Sequence, residues 1–409
     1  MSRGSALIDL RPLTTSPAFA RLWIGSTLSG MGGQLTVVAV MLHVFELTQS
    51  TFAVSMIAVA GLVPMVLAGL YGGMLADAFD RRTVALLAAS VTFVSTALLA
   101  ALAWTGMENV ASLFVLSVIN SAANSIVMAT KSAITPRLLP RDLLPAAAAL
   151  QGVTVGIMVM AGPALAGVLV AFAGYAWTYS LDVLLMTSLF LGLWSLPRLR
   201  PEGEIVRPGL ESFRDGARFL RRAPNIRLQY LLDITAMTFG QPIALFPAIG
   251  AVLLGGGAIT TGILTAAIAA GAFLSSLFSG PVGRVRRQGL GIERAIQVYG
   301  LSIGAFGLVL LAAIVLAVSG AADNVSAIYR STMMQAAVPD AMRGRLQGIF
   351  IVVVAGGPRV GALYAGTLAT LTALWVPPLF GGILILALVG VLVRLSPRFR
   401  EYDALNPTP

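Results

Sequence analysis

Long apolar runs alternate with short polar breaks from one end of the chain to the other. Twelve of these runs predict helical spans near 18–46, 52–77, 83–105, 110–136, 143–171, 175–196, 227–254, 259–281, 292–307, 309–338, 346–372 and 376–395. Most are close to or longer than the roughly 20 residues that cross a bilayer core as a helix. Tilt and cytoplasmic extension absorb the excess. No polar turn separates Phe306 from Val315, within the ninth and tenth runs. A membrane β-barrel needs alternating polar and apolar positions, and neither Val91–Ala103 nor Ile383–Val393 has any such alternation. The pattern predicts an all-α polytopic membrane protein.

One long polar interruption, Pro197 to Asn225, divides the runs six and six. It opens Pro-rich and charged. Then Leu210, Phe213, Ala217 and Leu220 recur at helical spacing, with Glu211, Arg214, Arg218, Arg221 and Arg222 on the other faces. This reads either as an interfacial amphipathic helix or as a solvated linker helix. The expected organisation is an N-terminal six-helix bundle over 1–196, a cytoplasmic linker over 197–226 and a C-terminal six-helix bundle over 227–409.

The halves repeat each other. Ala122-Ala123-Asn124-Ser125, Lys131 and Pro140 map at one constant offset onto Ala321-Ala322-Asp323-Asn324, Arg330 and Pro339. Gln151-Gly152 and Gly162-Pro163 match Gln347-Gly348 and Gly357-Pro358 at nearly the same offset. A duplicated helical unit is expected, with the two copies rocking about a site at mid-membrane depth.

Composition agrees. The chain is 57% hydrophobic and 11% charged, with a mean hydropathy of +0.88; a soluble domain carries about 25% charged residues. The net charge of +10 does not point to nucleic acid, because of where the basic residues lie. Nearly all of them fall in alternate loops, at Arg3 and Arg11, Arg81 and Arg82, Arg137 and Arg141, Arg198 through Arg227, Arg284 through Arg287, Arg343 and Arg345, and Arg394 through Arg400. The breaks near Thr48, Gly106, Ala173, Gly256 and Thr372 have none. This alternation places both termini in the cytoplasm and turns the basic excess toward anionic lipid headgroups. No cleavable signal is expected, since Pro12 and Pro17 interrupt the start of the chain.

Several chemistries are excluded. There is no cysteine, hence no disulfide and no thiolate metal site. The single histidine, His43, rules out a histidine cluster, and the only lysine, Lys131, follows Thr130, so no phosphate-binding loop of the Gly-Lys type exists. An ATP-driven motor within this chain, a resident metal and a cofactor are not expected. An integral-membrane enzyme would need a cluster of acids, histidines or a nucleophile at one face, so no catalytic residues are assigned. A membrane scaffold or receptor would carry a large soluble module or a long tail, and the segment after Arg394 is a short stub.

Charges inside apolar runs are candidate functional groups. Arg359 lies about 20 Å up its helix from Arg345 at about 1.5 Å per residue, too deep to snorkel. It is expected to line the substrate path, or else to pair with Asp323 or Asp233. Asp182, Asp233 and Asp323 are the acids able to take up a proton in a low-dielectric cavity, and which of them couples protons stays open. Lys131 and Arg330 are expected to reach toward the cytoplasmic edge. Gln34 and Gln241 are polar groups near mid-membrane depth. His43 and Glu46 read as an outer rim.

Two motifs complete the set. Gly72-Gly73-Met74-Leu75-Ala76-Asp77-Ala78-Phe79-Asp80-Arg81-Arg82 sits between two spans, with Gly73 and Asp77 one turn apart on one face. Helix five carries Gly162-Pro163-Ala164-Leu165-Ala166-Gly167, where small residues allow close packing and the proline bends the helix. The first stretch resembles the signature loop between helices two and three of major facilitator superfamily transporters, with Ala78 and Asp80 as departures. Gly280 to Arg287, including Gly283 and Arg284, falls where its second copy belongs. The second motif resembles the glycine-proline signature of exporters in that superfamily, with Met158 where a glycine is expected. Gly73, Asp77, Asp80, Arg81, Arg82, Gly162, Pro163, Gly283 and Arg284 are the gate residues this resemblance implies.

Further stretches resemble the macrolide-efflux and enterobactin-exporter branch: Gln34 to Ala39, Glu46 to Thr51, Gly255-Gly256-Gly257, Pro339-Asp340 and Gly344 to Gly348. The resemblance implies the major facilitator fold in a bacterial inner membrane and proton-driven export of a siderophore or an amphipathic drug by a monomer. Uptake by the same reversible mechanism is the alternative. Ile243 stands where such exporters often have an arginine, and Ala362 where an acid often follows Gly-Pro-Arg. Both departures imply a more apolar pocket.

Overall fold

The computed structural model describes residues 9–197, 199, 210–278, 282, 285–308 and 311–408. Among these, the side chains at 70, 73, 77, 141, 210–213, 216, 340, 341, 343–345, 347, 348, 351 and 352 are not described. The described chain is helical and contains no strand. In order it forms α1 (Arg11–Thr15), α2 (Pro17–Thr48), α3 (Thr51–Ala60), α4 (Leu62–Ala78), α5 (Arg81–Thr105), α6 (Val110–Leu138), α7 (Leu144–Trp194), α8 (Leu210–Arg222), α9 (Pro224–Phe239), α10 (Phe246–Ala248), α11 (Gly257–Leu277), α12 (Gln288–Gly307), α13 (Ala312–Ala337), α14 (Asp340–Leu371) and α15 (Val376–Arg394). Among the described residues, nine helices are long and apolar enough to cross a membrane. Phe172, Leu191 and Trp194 are each more than 70% exposed, as lipid-facing side chains are.

Two predicted spans merge into the 51 residues of α7. The break lies at Gly174, whose φ of 80° and ψ of 179° depart from helix. An L side chain rarely adopts that backbone, so glycine turns the chain here at little cost. The predicted span 227–254 is also interrupted. α9 stops at Phe239, and Pro242 and Pro247 each lack the N–H that a continuous helix would use. The chain passes through a 3-10 turn (Ile243–Leu245), α10 and a π turn (Ile249–Leu253) instead. The Tyr299 hydroxyl donates to the Gly240 carbonyl at 2.5 Å, satisfying the freed end of α9.

The chain divides into two compact units, each taking a short segment from the opposite half of the sequence. Unit 1 comprises Met1–Thr48, Ala60–Arg207 and Gly256–Gly262; unit 2 comprises Gln49–Val59, Pro208–Gly255 and Ile263–Pro409.

Unit 1 is built on the seam between α2 and α7. Three glycines bring these helices together: Gly25 faces the Ser188 backbone, Gly192 the backbone of Arg21 and Leu22, and Gly32 the Asp182 side chain. Leu35, Val38, Leu42 and Ala166 fill one part of the interior, and Leu22, Ala85, Ala89, Val127 and Leu193 another. The Gly162–Gly167 run is explained by close approach. Gly162 packs on Gln34, Pro163 is buried, and Gly167 and Gly262 face each other so that a methyl group on either would collide with the other's backbone.

Unit 2 packs α12 against α13 and α15, and α9 against α14 and α15. Ile226, Leu232, Phe246, Ile292, Phe306, Leu316 and Met333 form its core. The amphipathic segment is the helix α8, and its Phe219 and Leu220 pack against that core. Within this unit, Thr51 donates to the Gly366 carbonyl at 3.0 Å. The residues after Arg394 are tied down. Phe399 is buried, Arg400 Nε donates to the buried Glu293 carboxylate at 2.6 Å, and the Ala404 N–H donates to the Arg286 carbonyl at 2.9 Å. The Glu293 carboxylate raises the pKa of the Arg400 guanidinium above its ordinary value.

Candidate functional site

The polar interior of unit 2 centres on Arg330. Asp323 and Arg330 are seven residues apart on α13, two turns along one face. α9 brings Asp233 to the same place. Arg330 makes a direct ion pair with Asp233 and lies 3.3 Å from Asp323. Arg330 is 8% exposed and Asp233 2%. The expectation that Arg330 reaches the cytoplasmic edge is corrected: two carboxylates hold the guanidinium inside, and stretching it to water would leave Asp233 buried without its cation.

A cavity of about 330 Å³ opens beside this trio, lined by Gln229, Tyr230, Asp233, Arg330, Ser331, Met334, Gln335 and Phe350. Its volume is near the lower end of small-molecule sites, about 300–1,000 Å³. One wall is aromatic, with the Tyr230 and Phe350 rings 6.4 Å apart. The Tyr230 hydroxyl donates to the Leu346 carbonyl at 3.2 Å, which fixes the ring. Gln229 Oε1 and Asp233 Oδ2 are buried without a hydrogen bond. Such a cavity offers a cation, unused acceptors and an apolar face, the recognition chemistry of a small amphipathic solute.

The other candidates are distributed. Arg359 is half-buried on α14 and donates to the Ala355 carbonyl at 2.7 Å. The acids considered as its partners, Asp323 and Asp233, are engaged by Arg330 instead. Gln241 follows the end of α9, against Gly361 of α14, and its amide lies 3.3 Å from the Met237 sulfur. Gln34 packs on Gly162 in unit 1. Asp182, also in unit 1, is 2% exposed and accepts from the Thr36 hydroxyl at 2.5 Å. His43 is no rim residue: it is 3% exposed. The Tyr175 ring stacks on it with centroids 4.0 Å apart.

The motif after α4 forms a clasp. Gly73 and Asp77 lie on α4, and their side chains are outside the described residues. Asp80 caps α5 by accepting from the Thr83 N–H at 2.9 Å, and its other oxygen accepts from the Leu199 N–H at 2.9 Å. Arg81 donates to the Ala76 carbonyl at 3.1 Å and to the Ala133 carbonyl of α6 at 2.8 Å. Arg82 lies over the Trp194 ring, 5.9 Å from its centroid. The pair of arginines with an acid thus ties α4, α5, α6 and the end of α7 together. Gly283 and Arg284 lie outside the described residues.

Sequence reasoning gave Asp233 and Asp323 but not their shared cation, nor Gln229 and Tyr230. The signal for Arg330 was present: an acid and a base two turns apart inside one apolar run are placed to share a partner.

Comparison with known proteins fits this geometry. The family model described as transmembrane secretion effector matches residues 9–409. The enterobactin exporter EntS of Citrobacter koseri is 31% identical over 414 residues, covering 100% of this chain and 99% of that protein. The enterobactin exporter EntS of Shigella boydii serotype 18 is 30% identical over 407 residues, covering 98% of each. Among solved structures, a POT family transporter in complex with a thioalcohol-conjugated peptide superposes with a TM-score of 0.71 at 14% identity, covering 93% of this chain and 96% of that one. A D-xylose–proton symporter gives 0.67 at 13% identity, covering 93% and 98%. These structural likenesses are of fold. The protein is therefore a multi-pass membrane transporter of small molecules rather than an enzyme, and the chain belongs to the transmembrane secretion effector family of the major facilitator superfamily.

Proposed function

We propose that the protein is a proton-driven exporter of a small amphipathic solute, working by alternating access in the bacterial inner membrane. The preferred solute class is a catecholate siderophore, the class suggested by the named activity of the 31% identical relative. The observation that carries the reading is the Asp233–Arg330–Asp323 trio at the edge of a cavity of about 330 Å³. A buried guanidinium shared between two carboxylates can exchange one of them for an anionic oxygen of a solute, at less cost than baring an unpaired charge. Arg359, Gln34 and Gln241 are assigned to the solute path. The fold has twelve spans with both termini in the cytoplasm, functions as a monomer, and uses the proton gradient rather than a cofactor.

A second reading, an apolar drug as solute, is favoured by Ile243 and Ala362, which put hydrocarbon where charged groups stand in the resembling exporters. Purified protein in liposomes decides between them. Under an imposed pH gradient, enterobactin and ethidium are supplied separately and their accumulation is measured. Gradient-dependent movement of the catecholate supports the first reading, and movement of ethidium alone supports the second. An Ile243→Arg variant is expected to shift preference toward the anionic solute. No gradient-dependent flux of either compound, from correctly inserted protein, refutes the proposal.

A further inference from the structure

A set of buried polar groups in unit 1, separate from the residues that line the unit 2 cavity, falls on the seam of α2 and α7. On α2, Thr36 and His43 are two turns apart on one face; on α7, Tyr175, Tyr179 and Asp182 recur at spacings of four and three. His43 Nδ1 lies 3.3 Å from the Tyr179 hydroxyl, and Nε2 lies 3.5 Å from Glu108 Oε1. Glu108 belongs to the short connection between α5 and α6. The Tyr175 ring covers the imidazole, and its hydroxyl donates to Glu46 Oε2 at 2.6 Å. The titratable groups facing His43 are thus Glu46 from α2 itself, Glu108 from the α5–α6 connection, and Tyr175 and Tyr179 from α7.

One carboxylate asks for a proton rather than for packing. Asp182 is 2% exposed, yet its Oδ1 has no hydrogen-bond partner, and among the described residues it makes no ion pair. A buried carboxylate with no cation beside it has a proton as its remaining neutralising partner. The imidazole, between a hydroxyl and a carboxylate, can accept a proton at Nε2 from Glu108. It then keeps it as imidazolium, with the Nδ1–H donating to the Tyr179 hydroxyl oxygen. The transfer breaks one O–H bond, forms one N–H bond and leaves a carboxylate beside an imidazolium. In unit 2, by contrast, both acids already share a guanidinium.

We propose that the α2–α7 seam of unit 1 is the proton-binding limb of this transporter, with His43 and Asp182 as its two protonatable stations. Glu108, 21% exposed, is the entry group. The proposal deepens the proton-driven reading above and rests on it for the coupling to transport; the protonation itself does not depend on it.

The test uses the chain's single histidine. Full-length protein labelled with nitrogen-15 at histidine gives one imidazole, whose titration is followed in detergent between about pH 5 and pH 9, on either side of the ordinary imidazole range. Infrared difference spectra over the same range report the carboxyl band of Asp182, identified by its loss in Asp182→Asn. Expected is a titrating imidazole whose midpoint moves by at least about half a pH unit in Asp182→Asn. In liposomes, gradient-driven flux of whichever compound the native protein moves, enterobactin or ethidium, is expected to fall at least about tenfold in Asp182→Asn, while gradient-free exchange of that same compound stays within about twofold. His43→Gln, which keeps hydrogen-bonding capacity but does not titrate, should displace the pH profile of flux; a packing role alone would leave that profile in place. An imidazole and a carboxyl group that do not titrate in this range overturn the proposal, as does native flux with a native pH profile in both variants. If the native protein moves no solute under any gradient, the exporter reading falls, and the spectroscopic titrations still decide the two stations.

Discussion

Replacing Arg330 by methionine removes the one cation that neutralises two acids of unit 2, and the structure ranks the consequences. Both carboxylates are within ion-pair reach, but they differ in setting: the Asp233 side chain is 3% exposed and that of Asp323 38%. At 3.3 Å and an effective dielectric of about 20, the Asp323 contact has a gross attraction of about 5 kcal/mol. Desolvation and screening reduce an open pair of this kind to about 1 kcal/mol net. Asp233 has no such screening, and leaving it buried without a partner costs about 3–5 kcal/mol. Arg330→Met is therefore expected to destabilise by about 3–5 kcal/mol, Asp323→Asn by about 1 kcal/mol, and Arg330→Met with Asp233→Asn by clearly less than the two single changes added together. The expected coupling between positions 233 and 330 is about 2 kcal/mol. Unfolding in mixed micelles, titrated with a denaturing detergent, compares the four variants, Asp233→Asn included, with the native protein. Lower pH protonates the stranded Asp233 of Arg330→Met and removes its charge, so the deficit of that variant should shrink as pH falls. Additive single changes, with a coupling below about 0.5 kcal/mol, or a deficit that grows on acidification, would refute the reasoning.

Three other perturbations test separate parts of the fold. Arg81→Ala removes the donors to the Ala76 and Ala133 carbonyls and should lower transport several-fold at normal membrane abundance; Arg81→Lys should restore only part of it, because one ammonium does not reproduce the guanidinium fork. Gly174→Val forces a side chain onto a φ of 80° and should lower stability by about 1–3 kcal/mol, seen as a lower melting temperature in detergent. Arg400→Ala leaves the buried Glu293 without its cation and should speed hydrogen exchange over residues 397–408; unchanged exchange there would mean that Phe399 alone holds the segment.

Periodicity and charge made most of the helices legible, for a physical reason. In a bilayer every backbone group must be satisfied inside its own helix, so apolar length and the position of arginines carry nearly all the information on where a span begins and ends. The misses occur where side chains, not lipid, decide. The span at 227–254 is matched by Pro224–Leu253, but its helix is interrupted at Gln241-Pro242, where two prolines and the Tyr299 hydroxyl rearrange the backbone hydrogen bonds. The runs 143–171 and 175–196 were separated correctly, because Gly174 sits in a break without charge. Pairing was less legible than placement. Arg359 is expected to line the substrate path, with Asp233 or Asp323 as alternative partners; depth along a helix says nothing about azimuth, and azimuth gives those acids to Arg330. His43 was read as a rim because it lies at the outer end of its helix, yet Tyr175 and Tyr179, one turn apart on α7, enclose it.

The duplication explains why the two units can divide the work. Lys131 and Arg330 are equivalent in the repeat, and so are Asn124 and Asp323. In unit 2 the acid at 323 and the base at 330 stand two turns apart on α13, and α9 adds Asp233, so a complete ion-paired network sits beside a cavity. In unit 1 the acid's place is taken by Asn124, a neutral amide, and the buried acid has moved to Asp182 on α7, against Thr36 and away from any cation among the described residues. A carboxylate paired with arginine is suited to exchanging ionic partners, since the positive charge stays to receive whatever replaces it. An unpaired carboxylate is suited to gaining and losing a proton, since its charge has no other means of cancellation. On the proposed reading, the two copies of the repeat thus differ in where their buried acids stand: beside a guanidinium on α9 and α13 in unit 2, and without a cation on α7 in unit 1. The relocation has a direct consequence: Asn124→Asp, which restores the acid seven residues before Lys131, should pair with that lysine and leave the titration of His43 unchanged, whereas Asp182→Asn should move it.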